Sequence, residues 1–277
     1  MVDEHTAVLV IGIGGPTNSG KSTLAKNLKA ILDPTGEDAS PIVSVDLLHQ
    51  DDFCPPKDQI PWNEKWQVQD WDTPQGSSDY SRLERVIQYM RVHKKLPADF
   101  QSFEYRRSNY TCTLDATELA KQRKRFHEEL HGQTLRASRD GQQAPRIAIL
   151  LVEGFLLYYS VAVRKLLDVR LFLRISRATM HQRRMERANY VLDDGEVWED
   201  PPFYFDEIVW PAYMKASSHM FENGDVERGA PIVPSGHGFI SQDGGPLRDL
   251  QVLEVEHCTK KQVTLAATDH IHAFLTK

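Results

Sequence analysis

The sequence predicts an α/β fold, a doubly wound parallel sheet of about five strands with helices on both faces. Three observations carry that expectation. Short apolar runs alternate with stretches whose apolar residues recur at helical spacing. The run Ala7-Val-Leu-Val-Ile-Gly-Ile13 leads straight into Gly15-Pro-Thr-Asn-Ser-Gly20-Lys21-Ser22, a glycine-rich turn of the kind that joins a strand to a helix. Ile147 to Val152 is apolar without interruption, the mark of a strand covered on both faces.

The elements follow in order. Ala7–Ile13 is the first strand, and Leu24, Leu28, Ile31 and Leu32 define the buried stripe of the helix after it. Pro41–Leu48 reads as the second strand. Leu83, Val86, Ile87 and Met90 predict a helix over Ser81–Val92. Ile147–Val152 is the third strand, Val169–Ile175 the fourth and Leu250–Val255 the fifth, with a closing helix near Val263–Phe274.

Two regions break the rhythm. Pro97–Pro145 is polar and reads as an insertion, with a helix between Asp115 and Leu130 and then a mobile loop. Its basic stretch Lys121–Arg125 is followed by Glu128 and Glu129, which favours a solvated helix face over a nucleic-acid patch. Asn223–Gly245 is rich in glycine and proline and reads as an irregular connection. One domain is expected over the whole 277 residues.

Composition narrows the function. Hydrophobic residues make up 40% and charged residues 26%, ordinary values for a soluble globular chain. A net charge of −6 argues against a general nucleic-acid binder, which needs a basic surface. Cys54, Cys112 and Cys258 are widely spaced and odd in number, forming neither a disulfide framework nor a zinc pattern. The first apolar run follows Asp3 and Glu4, and no run is long enough to cross a bilayer. The expected setting is cytoplasmic, without a membrane or nucleic-acid partner, as a monomer or weak oligomer.

The chemistry starts at the glycine-rich turn, which fills every fixed position of the phosphate-loop pattern G-x-x-x-x-G-K-[ST]. Successive backbone N–H groups in such a loop point inward at a helix N-terminus and cradle polyphosphate oxygens. Gly15, Thr17, Asn18, Ser19, Gly20, Lys21, Ser22 and Thr23 are therefore the candidate nucleotide-binding residues. Lys21 would set a point charge against the outer phosphates, and the Ser22 hydroxyl would ligate Mg²⁺. A chance glycine-rich turn is the competing reading, and the flanking strand and helix count against it.

In open parallel sheets, ligands sit beyond the carboxyl ends of the strands. The second strand ends in Gln50-Asp51-Asp52-Phe53, so a carboxylate there can face the phosphate loop and accept a proton from an acceptor hydroxyl. Paired aspartates also cap turns, and at this level both readings stand. Glu153, directly after the third strand, is placed to hold a metal ion, a reading that the upstream phosphate loop favours over an ordinary acidic residue at a strand end. Arg183 and Arg187 are four residues apart and share a helix face that can close over phosphates, with Arg184 to the side; an exposed charged helix is the alternative. Of Trp62, Trp66 and Trp71, two are expected to pin the loop to the core and one to stack on a planar ring.

These residues, in this order, resemble the nicotinamide riboside kinases, a branch of the nucleoside-kinase group of phosphate-loop enzymes. The resemblance is carried by Gly15-Pro-Thr-Asn-Ser-Gly-Lys-Ser-Thr-Leu-Ala-Lys-Asn-Leu28, Gln50-Asp-Asp-Phe53, Trp71-Asp72, Val152-Glu-Gly-Phe-Leu-Leu157, the arginine helix, Tyr204-Phe-Asp206 and Val209-Trp-Pro211. It covers roughly Val8–Phe53, Gln69–Met90 and Ile147–Phe221. It implies a phosphate-loop kinase with a lid near 183–203, using ATP and Mg²⁺ on a small riboside. It further implies that Asp51 and Lys21 are catalytic, that Asp51, Phe53, Trp71, Asp72 and Arg184 bind the riboside, that Ser22 and Glu153 hold the metal, and that Arg183 and Arg187 face the ATP phosphates. The insertion at 97–145 and the chain beyond Gly229 have no counterpart in shorter members.

Rival readings are a uridine or cytidine kinase on the same scaffold, a guanine-nucleotide switch, and a silent nucleotide-dependent scaffold. The switch lacks its Asn-Lys-x-Asp guanine-reading motif. The scaffold would need no proton acceptor, yet Asp51 stands with Lys21, Ser22 and Glu153.

Overall fold

A computed structural model of the chain describes residues 6–34, 41–102, 112–139, 146–187, 190–191, 197–232 and 250–276. Five strands form one parallel sheet: β1 (Thr6–Gly14), β2 (Ile42–His49), β3 (Arg146–Gly154), β4 (Val169–Arg174) and β5 (Leu250–Glu254). Their spatial order is β2-β3-β1-β4-β5. Every strand expected from an apolar run is present, with small shifts at the ends. The uninterrupted run of β3 lies between β2 and β1, and Ala148, Ile149, Leu150, Leu151 and Val152 are fully buried there. Hydrophobic burial on both faces of β1 and β3 anchors the core.

The helices are α1 (Lys21–Leu32), α2 (Tyr80–His93), α3 (Ala116–Arg139), α4 (Val161–Lys165), α5 (Arg177–Glu186), α6 (Trp210–Ser217) and α7 (Lys260–Leu275). Helix α1 packs against α3 and α7, and α2 against α4. Parallel crossovers are right-handed. The chain steps one way along the sheet from β1 to β2 and the other way from β2 to β3 and from β3 to β4, so α1 falls on one face and α2 with α4 on the other.

Two helix bounds need correction. Helix α3 does not give way to a loop after Leu130 but continues to Arg139, because one glycine, Gly132, costs only about 1 kcal/mol in a helix whose following residues are mostly tolerant of it. Helix α7 starts earlier than its apolar spacing implied. Thr259 accepts from the backbone N–H of Gln262, whose side chain reaches back to Thr259, and this capping box sets the start at Lys260. The connection expected at Asn223–Gly245 has a short helical turn at Glu222–Gly224 and a bridge between Phe221 and Pro231; its stretch at 233–245 lies outside the described residues. The loop expected toward residue 145 lies outside them too, beyond Arg139. Two two-residue ribbons, Trp62–Asn63 with Val68–Gln69 and Tyr190–Val191 with Val197–Trp198, are too short to show a period in sequence. Among the described residues no helix is long and apolar enough to cross a membrane.

Candidate active site

The carboxyl ends of β1, β2 and β3 open onto a cavity of about 1700 Å³, closed on its far sides by α5 and the start of α7. Gly14 is the last residue of β1, and the loop from Gly15 to Gly20 turns the chain into α1. That turn needs left-handed backbone. Gly15 has φ +141° and Gly20 has φ +98°, both costly for a residue with a Cβ. At Gly15 a Cβ would also lie 2.5 Å from the Leu173 carbonyl of β4. Gly15 therefore sits against the sheet rather than in the cavity lining, and its part is to shape the loop. The remaining loop residues expected to hold phosphates, Thr17 through Thr23, all line the cavity.

Lys21 is buried, and its Nζ donates to the Pro16 carbonyl at 2.9 Å, within the loop it belongs to. Burial pushes its pKa down, opposed by the negative charges of Glu153 and Asp51, so this lysine lies in the field of both acids. The Ser22 hydroxyl donates to Glu153 Oε1 at 2.8 Å, joining the start of α1 to the end of β3.

Burial alone would raise the pKa of Glu153. The hydrogen bond and charge of His49, the charge of Lys21 and the Ser22 hydroxyl outweigh it and hold the carboxyl below its usual range. This oxygen set fits a magnesium ion, which takes one or two carboxylates and a hydroxyl together with substrate phosphates rather than a full protein cage. Among the described residues no cluster of three or more His, Cys, Asp or Glu could hold a metal.

Asp51 and Asp52 occupy the short helical turn Gln50–Phe53 that follows β2. They separate clearly. Asp51 is exposed and Asp52 is 4% exposed, although both border the cavity. Gln50 braces this turn, because its Oε1 accepts from the Leu156 backbone N–H at 3.1 Å and its Nε2 donates to the Tyr80 hydroxyl at 3.2 Å. Phe53 is placed differently from its expected substrate role. It is fully buried, stacked on Phe100 with ring centroids 5.8 Å apart, and belongs to the core rather than the cavity wall.

Across the cavity stand Trp71, Asp72 and Arg184. The Trp71 backbone N–H donates to the Tyr204 hydroxyl at 3.0 Å, and that hydroxyl donates to the Gln69 carbonyl at 3.2 Å. Asp72 and Arg184 are both buried, with Nη2 to Oδ2 at 3.5 Å. Burial pushes the Asp72 carboxyl up, and the Arg184 guanidinium works against that rise. Trp66 packs on Phe203 with centroids 4.5 Å apart, as expected of a pinning residue, whereas Trp62 is 52% exposed. Two of the tryptophans were expected to pack; Trp66 does, and Trp62 lies on an exposed two-residue ribbon.

The arginines of α5 divide by face. Arg183 and Arg187 both turn to the phosphate loop, with Arg183 Nη1 at 3.3 Å from the Asn18 carbonyl and Arg187 Nη1 at 3.5 Å from Asn18 Oδ1. Arg184 turns instead to Asp72 and Asp200. Of the lid expected near 183–203, residues 188–189 and 192–196 lie outside the described residues.

No family model matches the chain. Individual proteins do. The nicotinamide riboside kinase of Eremothecium gossypii is 34% identical over 219 residues, covering 79% of this chain and 80% of that one. That of Schizosaccharomyces pombe is 30% identical over 223 residues, 79% and 83% of the two chains. The chain belongs to the nicotinamide riboside kinase family. Human nicotinamide riboside kinase 1 is 29% identical over 211 residues, 76% of this chain and 77% of its own. Among solved structures, one titled a possible uridine kinase from Bacillus stearothermophilus aligns at a TM-score of 0.37 with 19% identity over 76% of this chain and 87% of that one, too weakly to carry an argument.

Three features of this nicotinamide riboside kinase family member escaped the sequence reading. His49, 1% exposed, brings Nδ1 within 2.7 Å of Glu153 Oε1. Burial lowers its pKa, but the Glu153 carboxylate and the charges of Asp52 and Asp51 more than reverse this and raise it. Asp200 grips Arg184, with Nε to Oδ2 at 2.5 Å and Nη2 to Oδ1 at 3.1 Å. Val255, Cys258 and Lys260 bring the β5–α7 junction of the kinase into the cavity wall. For that junction the signal was present, since Thr259-x-x-Gln262 marks a helix start at the carboxyl end of a strand.

Proposed function

We propose that this family member transfers the γ-phosphoryl group of ATP, with Mg²⁺, to the ribose 5′-hydroxyl of nicotinamide riboside, and of nicotinic acid riboside, giving the mononucleotide in NAD salvage. One observation carries the reading beyond family membership: Asp51 is exposed to the same cavity that the phosphate loop lines, within the field of Lys21.

In this mechanism Asp51 orients the 5′-hydroxyl and takes its proton as the new O–P bond forms and the β,γ-bridging P–O bond breaks. Lys21 follows the phosphoryl oxygens with its charge, and Arg183 and Arg187, held against Asn18, neutralise what develops on the leaving phosphates. Ser22 and Glu153 would hold Mg²⁺, which would supply charge neutralisation of the phosphate oxygens. Asp72 and Arg184 receive the ribose hydroxyls, and Trp71 offers its face to the pyridine ring. Cys54, Cys112 and Cys258 form no disulfide with one another, in keeping with the reducing, cytoplasmic setting proposed here.

The test is kcat/KM of the purified protein for nicotinamide riboside against uridine at saturating Mg-ATP. Nicotinamide riboside is expected to be preferred. Equal values, or preference for uridine, overturn the assignment in favour of a pyrimidine nucleoside kinase.

A further inference from the structure

His49 is the last residue of β2 and lies beside Glu153 in the β2–β3 ladder, so the sheet itself fixes the pair. Both side chains are buried, His49 at 1% exposure and Glu153 at 5%. Glu153 Oε1 takes two bonds from two different elements, Ser22 Oγ of α1 at 2.8 Å and His49 Nδ1 of β2 at 2.7 Å. A carboxylate only accepts hydrogen bonds, so the proton of the second bond sits on Nδ1. His49 Nε2 has no partner among the described residues, which leaves Glu153 as the polar contact that orients this ring. A glutamate has three rotatable side-chain bonds. Two donors converging on one of its oxygens fix the carboxylate plane and leave Oε2 outside the pair.

We infer that His49 is a positioning residue for the metal ligand, holding Glu153 so that Oε2 is presented to the Mg²⁺ that accompanies the nucleotide. The inference rests on the reading of Ser22 and Glu153 as the metal site. Groups that orient a ligating side chain typically cost about 10- to 100-fold in metal affinity when removed.

The experiment measures Mn²⁺ binding to the ADP complex of the full chain by electron paramagnetic resonance, without turnover. Three variants are compared with the unaltered protein: His49→Phe, which keeps a ring and removes the donor; His49→Asn, which keeps an N–H near the Nδ1 place; and Glu153→Gln. The expected result is a dissociation constant for Mn²⁺ raised about tenfold or more in His49→Phe and largely restored in His49→Asn, with the metal-free melting temperature of His49→Asn near that of the unaltered protein. Equal binding in a folded His49→Phe, or equal weakening in both histidine variants, overturns the inference. Unchanged binding in Glu153→Gln overturns the metal-site reading instead, so the two failures are distinct. Should His49→Phe not fold, ¹⁵N resonances of the unaltered protein decide. The Nδ1 signal of His49 must move when Mg²⁺ is added to the ADP complex, and a signal that stays in place sinks the inference.

Discussion

At the scale of single residues, the two adjacent acids after β2 carry the sharpest prediction. Asp51 is exposed to the cavity and Asp52 is buried beneath it. A base on the acceptor hydroxyl acts in the transition state, so Asp51→Asn is expected to lower kcat about 10²- to 10⁴-fold while ATP binding survives. Asp52→Asn should cost less in rate and more in stability. Single-turnover phosphoryl transfer at saturating ATP and riboside separates them, and a slower, folded Asp52→Asn would move the base by one residue. Trp71 gives a second test. Its ring borders the cavity while its backbone is tied to Tyr204, so Trp71→Ala should raise KM for the riboside more than for ATP, by the roughly 0.5–1.5 kcal/mol of an aromatic contact. Equal rises in both KM values, with a lowered melting temperature, would make Trp71 a packing residue. At this scale the sequence was legible where a motif names the position, as at Lys21, Ser22 and Glu153. It was not legible where a side chain's burial decides. Phe53 follows two acids at the site yet turns into the core, and His49 is a lone histidine whose partner lies more than a hundred residues away.

At the scale of elements, uninterrupted apolar runs located β1 and β3, whose burial on both faces leaves no room for polar alternation, and shorter runs broken by polar residues located β2, β4 and β5. What the pattern withheld was how the polar insertion docks. Asn27 of α1 answers this. It is fully buried, with Nδ2 donating to Thr113 Oγ1 at 2.7 Å and to Thr264 Oγ1 at 2.8 Å, and Oδ1 accepting from the Thr113 N–H at 3.1 Å. One side chain thus joins the helix of the phosphate loop to the approach of α3 and to α7, and Arg123 of α3 adds a bond to the Ala30 carbonyl at 2.7 Å. An asparagine in a helical stripe otherwise made of Leu24, Leu28 and Ile31 was visible in sequence, but its partners were not. Asn27→Leu removes three hydrogen bonds, each worth about 0.5–1.5 kcal/mol net, while Thr264 Oγ1 keeps its bond to the Lys260 carbonyl and the exposed Thr113 can turn to water. Thermal and denaturant unfolding should show a loss of about 2–4 kcal/mol after partial relaxation. A neutral result would mean that apolar packing alone docks the insertion.

At the scale of the whole molecule, the cavity has walls from opposite ends of the sequence: the phosphate loop near residue 20, the acid turn near 51, the arginine helix near 183 and the β5–α7 junction near 258. These segments meet because all five strands run parallel and so bring their carboxyl ends to one edge of the sheet. A ligand bridging them binds the folded chain and not the unfolded one, so it must stabilise the fold by RT ln(1 + [L]/Kd). Mg-ADP at 100 times its Kd should add about 2.7 kcal/mol, and for a chain of this size about 5 °C in melting temperature. Lys21→Ala removes a buried cation that faces Glu153 and Asp51 and would also contact the phosphates. Its metal-free stability is a separate quantity, since burial opposes the charge that the two acids favour, and the variant can lose or gain there. The decisive quantity is therefore the increment on adding Mg-ADP at a fixed concentration. It should shrink in Lys21→Ala relative to the unaltered protein, while Trp71→Ala, altered on the side proposed for the riboside, should keep it whole. If Trp71→Ala loses the increment and Lys21→Ala keeps it, the nucleotide and riboside halves of the cavity have been assigned the wrong way round.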